Sequence, residues 1–197
     1  RPPRSTLFPY TTLFRSAKND LPSGIIIKVN SMVDPDLISL LYDASRAGVK
    51  ITLIVRGICC LIPGIEGVSE NITVISIVGQ LLEHSRIFKF ENGGEPVVYI
   101  GSADWMQRNL DKRVELVFPV EDEDLKKRVF GMLDIMMNDT INARVQKSDM
   151  TYVMIDKRGK QPLNSQLEFY RLAKEALEEV KNDRQQPMFV PKESENN

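Results

Sequence analysis

Short apolar runs alternate with amphipathic stretches along most of the chain. Ile25-Ile26-Ile27-Lys28-Val29 is a β-branched run, the pattern of a buried strand. Asp34-Pro35 then opens a helix, with a capping carboxylate followed by proline at the first helical position. Leu37, Leu40, Leu41 and Ala44 form one apolar stripe, and Gly48 stops the helix. Ile51 to Val55 is a second buried strand, so the segment predicts a βαβ unit with parallel strands. Gly57 to Gly67 is a turn-rich loop, and Ile72 to Ile77 a third strand. Ile87 to Phe90 and Val97 to Ile100 flank Asn92-Gly93-Gly94, which predicts a hairpin because such a turn needs positive φ angles. Val114 to Phe118 reads as a sixth strand stopped by Pro119. A helix is expected from Glu123 to Met137, with Leu125, Val129, Met132, Leu133 and Met136 on one side. A last helix is expected from Asn164 to Val180, with Leu167, Tyr170, Leu177 and Val180 at helical spacing. The sum is an α/β fold, a mixed sheet flanked by helices.

The ends read differently. Arg1 to Ser16 holds three prolines and no periodicity, and Thr6 to Ser16 resembles the translation of a sequencing-adapter oligonucleotide; residues 1–16 are set apart as a non-native leader. Residues 17–181 then form the domain, and 182–197, rich in Gln, Glu, Lys and Asn, read as a disordered tail. No apolar run reaches the roughly 18 to 20 residues of a membrane-spanning helix, the best, Ile51 to Ile65, being broken by Arg56, Gly57, Pro63 and Gly64.

With 42% hydrophobic and 27% charged residues the composition is that of an ordinary globular domain. The net charge is −1. Without the three arginines of the leader, 23 basic side chains face 27 acidic ones, a net charge of −4, so bulk charge gives no argument for nucleic-acid binding. A polyanion would have to be held by a local cluster. The two cysteines, Cys59 and Cys60, are neighbours and make no disulfide framework. They read as small buried hydrophobes of a cytoplasmic protein.

His84 is the single histidine, at the entry to a strand, and on its own fits a structural role as well as a functional one. Arg56 directly follows Val55 at the carboxyl end of a predicted parallel strand, the edge where open α/β sheets gather ligands; a solvated charge is the plain alternative. Gly101-Ser102-Ala103-Asp104 is a small-residue turn whose amides could approach an anion. Arg56, Arg86, Lys89, Arg108, Lys112 and Arg113 could gather into a positive pocket. Trp105 and Met106 suit core packing better than a stacking platform. No Walker loop, dinucleotide fingerprint or nucleophile elbow occurs.

His84-x-Arg86 followed by Gly101-Ser102-x-Asp104 resembles the phospholipase D signature of histidine, any residue, lysine, then Gly-Ser-x-Asn. Arg86, Asp104 and Glu91 stand where that signature has lysine, asparagine and aspartate, and one copy is present where such phosphodiesterases use two. A broader similarity runs from Ala17 to Val180. Asn30 to Pro35, Ile54 to Leu61, Glu83 to Arg86, Glu91 to Gly94 and Gly101 to Met106 resemble, in order and spacing, the last domain of bacterial polyphosphate kinase.

That resemblance implies a phospholipase D-like fold. It also implies reversible transfer of the ATP terminal phosphate to inorganic polyphosphate, through a phosphohistidine in a preceding domain that this chain lacks. His84 would be the second family histidine, a general acid or electrostatic stabiliser; Arg56 would grip phosphate, and Arg113 would be a further basic position. Magnesium would be held mainly by the missing domain. The partners implied are ATP or ADP, polyphosphate, the upstream domains and further copies of the chain as a homo-oligomer, with no nucleic acid. The setting implied is cytoplasmic, with association to a membrane surface left open. Two other readings stay open on the residues alone: a homodimeric phospholipase D-like phosphodiesterase and a non-catalytic polyanion-binding module.

Overall fold

A computed structural model describes residues 16, 17, 19 and 21–184, with only the backbone for 182–184. The leader, apart from Ser16, and the tail beyond Arg184 lie outside the described residues. The tail expected from Asn182 begins as helix, which continues to Arg184.

Eight strands form one sheet. They are β1 (Gly24–Val29), β2 (Lys50–Val55), β3 (Ile72–Ile77), β4 (Arg86–Phe90), β5 (Val97–Gly101), β6 (Val117–Pro119), β7 (Ala143–Gln146) and β8 (Tyr152–Met154). Their order is β6-β5-β4-β1-β2-β3-β7-β8, with β1, β2 and β3 parallel and the other pairs antiparallel. The helices are α1 (Pro35–Arg46), α2 (Gln107–Lys112), α3 (Glu123–Met137) and α4 (Ser165–Arg184).

The strands alternate, and each face makes its own core. Ile25, Ile27, Val29, Leu53, Val55 and Phe88 pack with Leu37, Leu41 and Ala44 of α1 on one face. Ile54, Ile77, Ile87 and Val98 pack with Leu133 and Met136 of α3 on the other. Asp34 caps α1 as its sequence suggests, accepting from the Leu37 amide at 3.1 Å, with Pro35 at the first turn. Trp105 lies in the first core, stacked on Phe88 with ring centroids 5.7 Å apart.

Several elements differ from the sequence reading. Residues 114–116 are not strand, because they fold back over the turn after β5: Ser102 donates its amide to Leu116 O at 2.9 Å, and its hydroxyl accepts from the Leu116 amide at 3.1 Å. Pro119 joins the edge strand opposite Tyr99 rather than stopping it; an edge tolerates the missing donor. β7 and β8 are four and three residues long, too short to show a period. Cys59 is buried, and burial pushes its thiol up to about 11, but Cys60 is exposed because neighbours in extended chain point to opposite sides. The α4 stripe of Leu167, Tyr170, Leu177 and Val180 is exposed, and Leu125 of α3 with it, while Phe169 turns into the second core.

The rotation of α4 is set at its first turn by Asp139. One carboxylate oxygen accepts from the amides of Ile141, Asn142 and Ala143 at 2.9, 2.7 and 3.3 Å, and the other from the amide and hydroxyl of Ser165 at 2.8 and 2.7 Å. Burial favours the neutral acid, but these donors outweigh it and hold Asp139 below the usual carboxylate range. A depressed folded pKa adds stability that is fully present above the unfolded value of about 3.9 and is lost as pH falls through the folded one. Asp139→Ala should therefore cost about 2 to 4 kcal/mol near neutral pH. Denaturant unfolding between pH 7 and pH 3 checks this, and the gap to wild type should narrow at the acid end.

Candidate active site

The register brings four chain segments to one edge of the sheet. Val29 pairs with Val55, so Asn30 and Arg56 leave β1 and β2 side by side. β4 runs antiparallel to β1 with Ile87 opposite Lys28, which places Arg86 at the same edge. Arg86 in turn faces Gly101, the last residue of β5, so the turn to Asp104 arrives there too. Arg56, His84 and Gly101-Ser102-x-Asp104, far apart in sequence, reach the same edge because of strand order.

A hydrogen-bonded chain links them. Arg56 donates through Nε to Asn30 Oδ1 at 2.8 Å, and its Nη2 contacts the same oxygen. The backbone amide of Asn30 donates to Asp104 Oδ1 at 2.7 Å, and that of Ser31 to the same oxygen at 3.3 Å. Arg86 grips Asp104 with two arms, Nε to Oδ1 at 3.2 Å and Nη2 to Oδ2 at 2.7 Å. Arg86 also donates to the His84 carbonyl at 2.8 Å, and its terminal nitrogens lie 3.1 and 3.2 Å from His84 Nδ1 and Nε2. The two ring nitrogens point to opposite sides of the imidazole, so one guanidinium cannot donate in plane to both; the two groups lie plate against plate. His84 itself is exposed and Arg56 half-buried, so both can meet a ligand.

Asp104 is nearly fully buried. Burial pushes its carboxyl up, but the hydrogen bonds and charge of Arg86 and the Asn30 and Ser31 amides outweigh that and hold it below the usual carboxylate range. Gly57 is needed beside this chain because a Cβ there would sit 2.9 Å from the Asn30 carbonyl oxygen, which accepts from the Gly57 amide at 2.7 Å. The turn after β5 has part of its backbone already committed. The Ser102 amide is spent on Leu116 O and the Trp105 amide on Ser31 O at 3.2 Å.

The predicted positive pocket is partly dismantled. Lys89 pairs with Glu91 at 2.6 Å and lies 4.5 Å over the Phe130 ring, packed on the α3 side. Arg86 is committed to Asp104 and His84. Arg108, Lys112 and Arg113 are exposed around α2, with Arg113 close enough to help lower the pKa of Glu115. Sequence reasoning missed Lys28, buried in β1, whose Nζ lies 3.4 Å from Glu83 Oε2 and 3.4 Å from the Ser85 carbonyl, flanking His84 on both sides. Burial pulls its ammonium below the ordinary lysine range, Glu83 opposes, and Arg56 and Arg86 add to the lowering. A lysine inside the run Ile25 to Val29 was the available signal.

Residues 9–166 match the family model described as polyphosphate kinase C-terminal domain 2. The chain belongs to that family. Polyphosphate kinase of Lactiplantibacillus plantarum is 51% identical over 161 residues, 82% of this chain and 22% of that protein. The Synechocystis enzyme is 54% identical over 172 residues, 86% and 23%, and that of Escherichia coli K12 45% over 155 residues, 79% and 22%. The chain thus spans about a fifth of the length of these curated relatives. The crystal structure of polyphosphate kinase from Porphyromonas gingivalis superposes with a TM-score of 0.82 at 39% identity, covering 86% of this chain and 26% of that one. A phospholipase D family member, Nuc from Salmonella typhimurium, gives 0.50 at 15% identity over 70% of this chain and 90% of its own, which shows a phospholipase D-like fold.

Within this polyphosphate kinase domain the Asp104–Arg86 pair is a buried electrostatic joint. Removing one partner of such a pair leaves the other charge uncompensated, so Asp104→Ala should destabilise by about 3 to 5 kcal/mol. Asp104→Asn should do less harm and should flatten the acid limb of the stability curve. The depressed carboxyl contributes above its unfolded value of about 3.9 and loses that contribution as pH falls through the folded one. Thermal unfolding of wild type and both variants from pH 7 to pH 3 measures it.

Proposed function

We propose that residues 17–181 are the C-terminal catalytic domain of an ATP:polyphosphate phosphotransferase, moving the terminal phosphate of ATP reversibly to inorganic polyphosphate through a phosphohistidine in the preceding domain. The supporting observation is the chain Arg56–Asn30–Asp104–Arg86–His84, which ties a half-buried guanidinium and an exposed imidazole to one sheet edge.

Phosphoryl transfer is chiefly positioning plus neutralisation of charge on the equatorial oxygens. Arg56 suits the neutralising role, because its Nη1 carries none of the Asn30 contacts and a planar guanidinium can clamp two phosphate oxygens. His84 donates a hydrogen bond or proton to the bridging or leaving oxygen as general acid or electrostatic stabiliser, and is not the residue phosphorylated. Arg113 supplies further positive charge beside the phosphate path. Arg86, where the phosphodiesterase signature has lysine, is spent on Asp104 and the His84 carbonyl, which favours the kinase reading over the homodimeric phosphodiesterase.

Magnesium is the ion this reading implies. Among the described residues no three acidic, histidine or cysteine side chains gather, and Asp104 is already bound by Arg86 and two amides. In this reading the ion is held mainly by the preceding domain. The partners are ATP or ADP, polyphosphate, the upstream domains and further copies of the chain in a homo-oligomer. The setting in this reading is cytoplasmic, with association to a membrane surface left open. Among the described residues no helix is long and apolar enough to cross a membrane.

In a full-length relative, His84→Ala and Arg56→Ala at the matching positions should each lower polyphosphate synthesis by about 100-fold or more. Near-normal synthesis in either would sink the assignment. The present chain, incubated alone, should neither turn over ATP nor cleave bis(p-nitrophenyl) phosphate; cleavage of the diester would establish the phosphodiesterase instead.

A further inference from the structure

The segment carrying His84 has no apolar anchor of its own. It runs from the end of β3 to the start of β4, and its large apolar side chains Val78, Leu81 and Leu82 are 64, 62 and 69% exposed. An imidazole on a free loop would sample many directions, and each freedom lost on binding phosphate would weaken catalysis. Something polar must hold it.

Three nearly fully buried side chains do so: Lys28, Glu83 and Gln166. The Gln166 carboxamide, from the first turn of α4, meets Leu81 as a strand neighbour would. Its Oε1 accepts from the Leu81 amide at 2.9 Å and its Nε2 donates to the Leu81 carbonyl at 2.8 Å. The same Nε2 donates to Glu83 Oε1 at 2.9 Å. Glu83 Oε2 faces Lys28 Nζ, and Lys28 donates to the Ser85 carbonyl. The residues before and after His84 are therefore pinned, one from α4 and β1 together and the other from β1, while Arg86 lies against the ring.

Gly79 makes room for this clamp. A Cβ at that position would lie 2.5 Å from Gln166 Oε1 and 2.9 Å from its Cδ. Its backbone has no positive φ, so alanine there is strained by the carboxamide and not by its own conformation. The α4 anchor at Asp139 and Ser165 sits immediately before Gln166, so the carboxamide is delivered from a fixed helix end. Only a side chain offering donor and acceptor at one tip can serve Leu81 and Glu83 together.

We propose that Gln166, acting with Glu83 and Lys28, is a positioning residue that fixes the direction of His84 for phosphoryl transfer. The assignment rests on the phosphate-facing role given to His84 above. Gln166 touches no substrate in this scheme and acts through the loop alone.

The test uses two systems. In a full-length relative, Gln166→Leu should lower kcat of polyphosphate synthesis about 10- to 100-fold while KM for ATP changes less than about twofold. Gly79→Ala, which leaves every polar group of the clamp in place, should lower kcat in the same direction by a smaller factor, and it keeps the test decisive if Gln166→Leu fails to fold. In the 197-residue chain His84 is the single histidine, so its ring Cε1–Hε1 NMR signal is unambiguous. It should be one sharp line in wild type and should move toward the free-imidazole position and broaden in both variants. Wild-type kcat in both variants while His84→Ala is inactive overturns the proposal, as does a fall in kcat with an unmoved His84 signal. Full synthesis by His84→Ala overturns the functional reading of the site instead, and the NMR shift still decides whether Gln166 holds the ring.

Discussion

One buried carboxylate organises the functional edge of this domain. Asp104 accepts two backbone amides at the end of β1 and a two-armed guanidinium from the start of β4. Its Oδ1 holds the amide of Asn30, whose side chain carries Arg56, and its two oxygens hold the guanidinium of Arg86, which lies against His84. Two side chains from separate strands thus share a single reference point. The arrangement also explains why a nearly buried arginine is tolerated: its charge is matched by Asp104 and its donors are filled.

The same logic explains what the cationic residues around the site do. Of those that the sequence could gather into a pocket, Arg86 and Lys89 are consumed within the protein, by Asp104 and Glu91 respectively. Arg56 keeps an arm clear of its Asn30 bond, and Arg113 stays exposed. In the proposed reaction a mildly acidic domain would face a polyanion with few available charges, each of them aimed. The exposed apolar side chains of α4 and of residues 114–118 belong to a chain that spans about a fifth of its relatives' length.

Much of the fold was legible because local and tertiary signals agreed. β1, α1 and β2 carried a β-branched run, a cap and a glycine stop, and the hairpin of β4 and β5 carried Asn92-Gly93-Gly94, all three at positive φ. β7 and β8 were illegible because such short strands owe their form to pairing, β7 with β3 and β8 with β7, and not to their own pattern. The helix α4 was legible from its spacing, but which of its faces meets the core was not, since its first turn is tied to Asp139, twenty-six residues before Ser165. At the site, His84 and Arg56 could be named from motif and family resemblance. Asn30, Lys28, Glu83 and Gln166 could not, since their roles arise from contacts between elements distant in sequence.

In the proposed reaction Arg56 and His84 act on one phosphate group as a unit. A double-mutant cycle in a full-length relative, with Arg56→Lys and His84→Gln singly and together, measures this most directly through the rate of polyphosphate synthesis. Groups that serve one transition state through a shared joint are non-additive, so the double variant should be little slower than the worse single one. A double variant whose loss equals the product of the two single losses would show that they act independently, and would contradict the account.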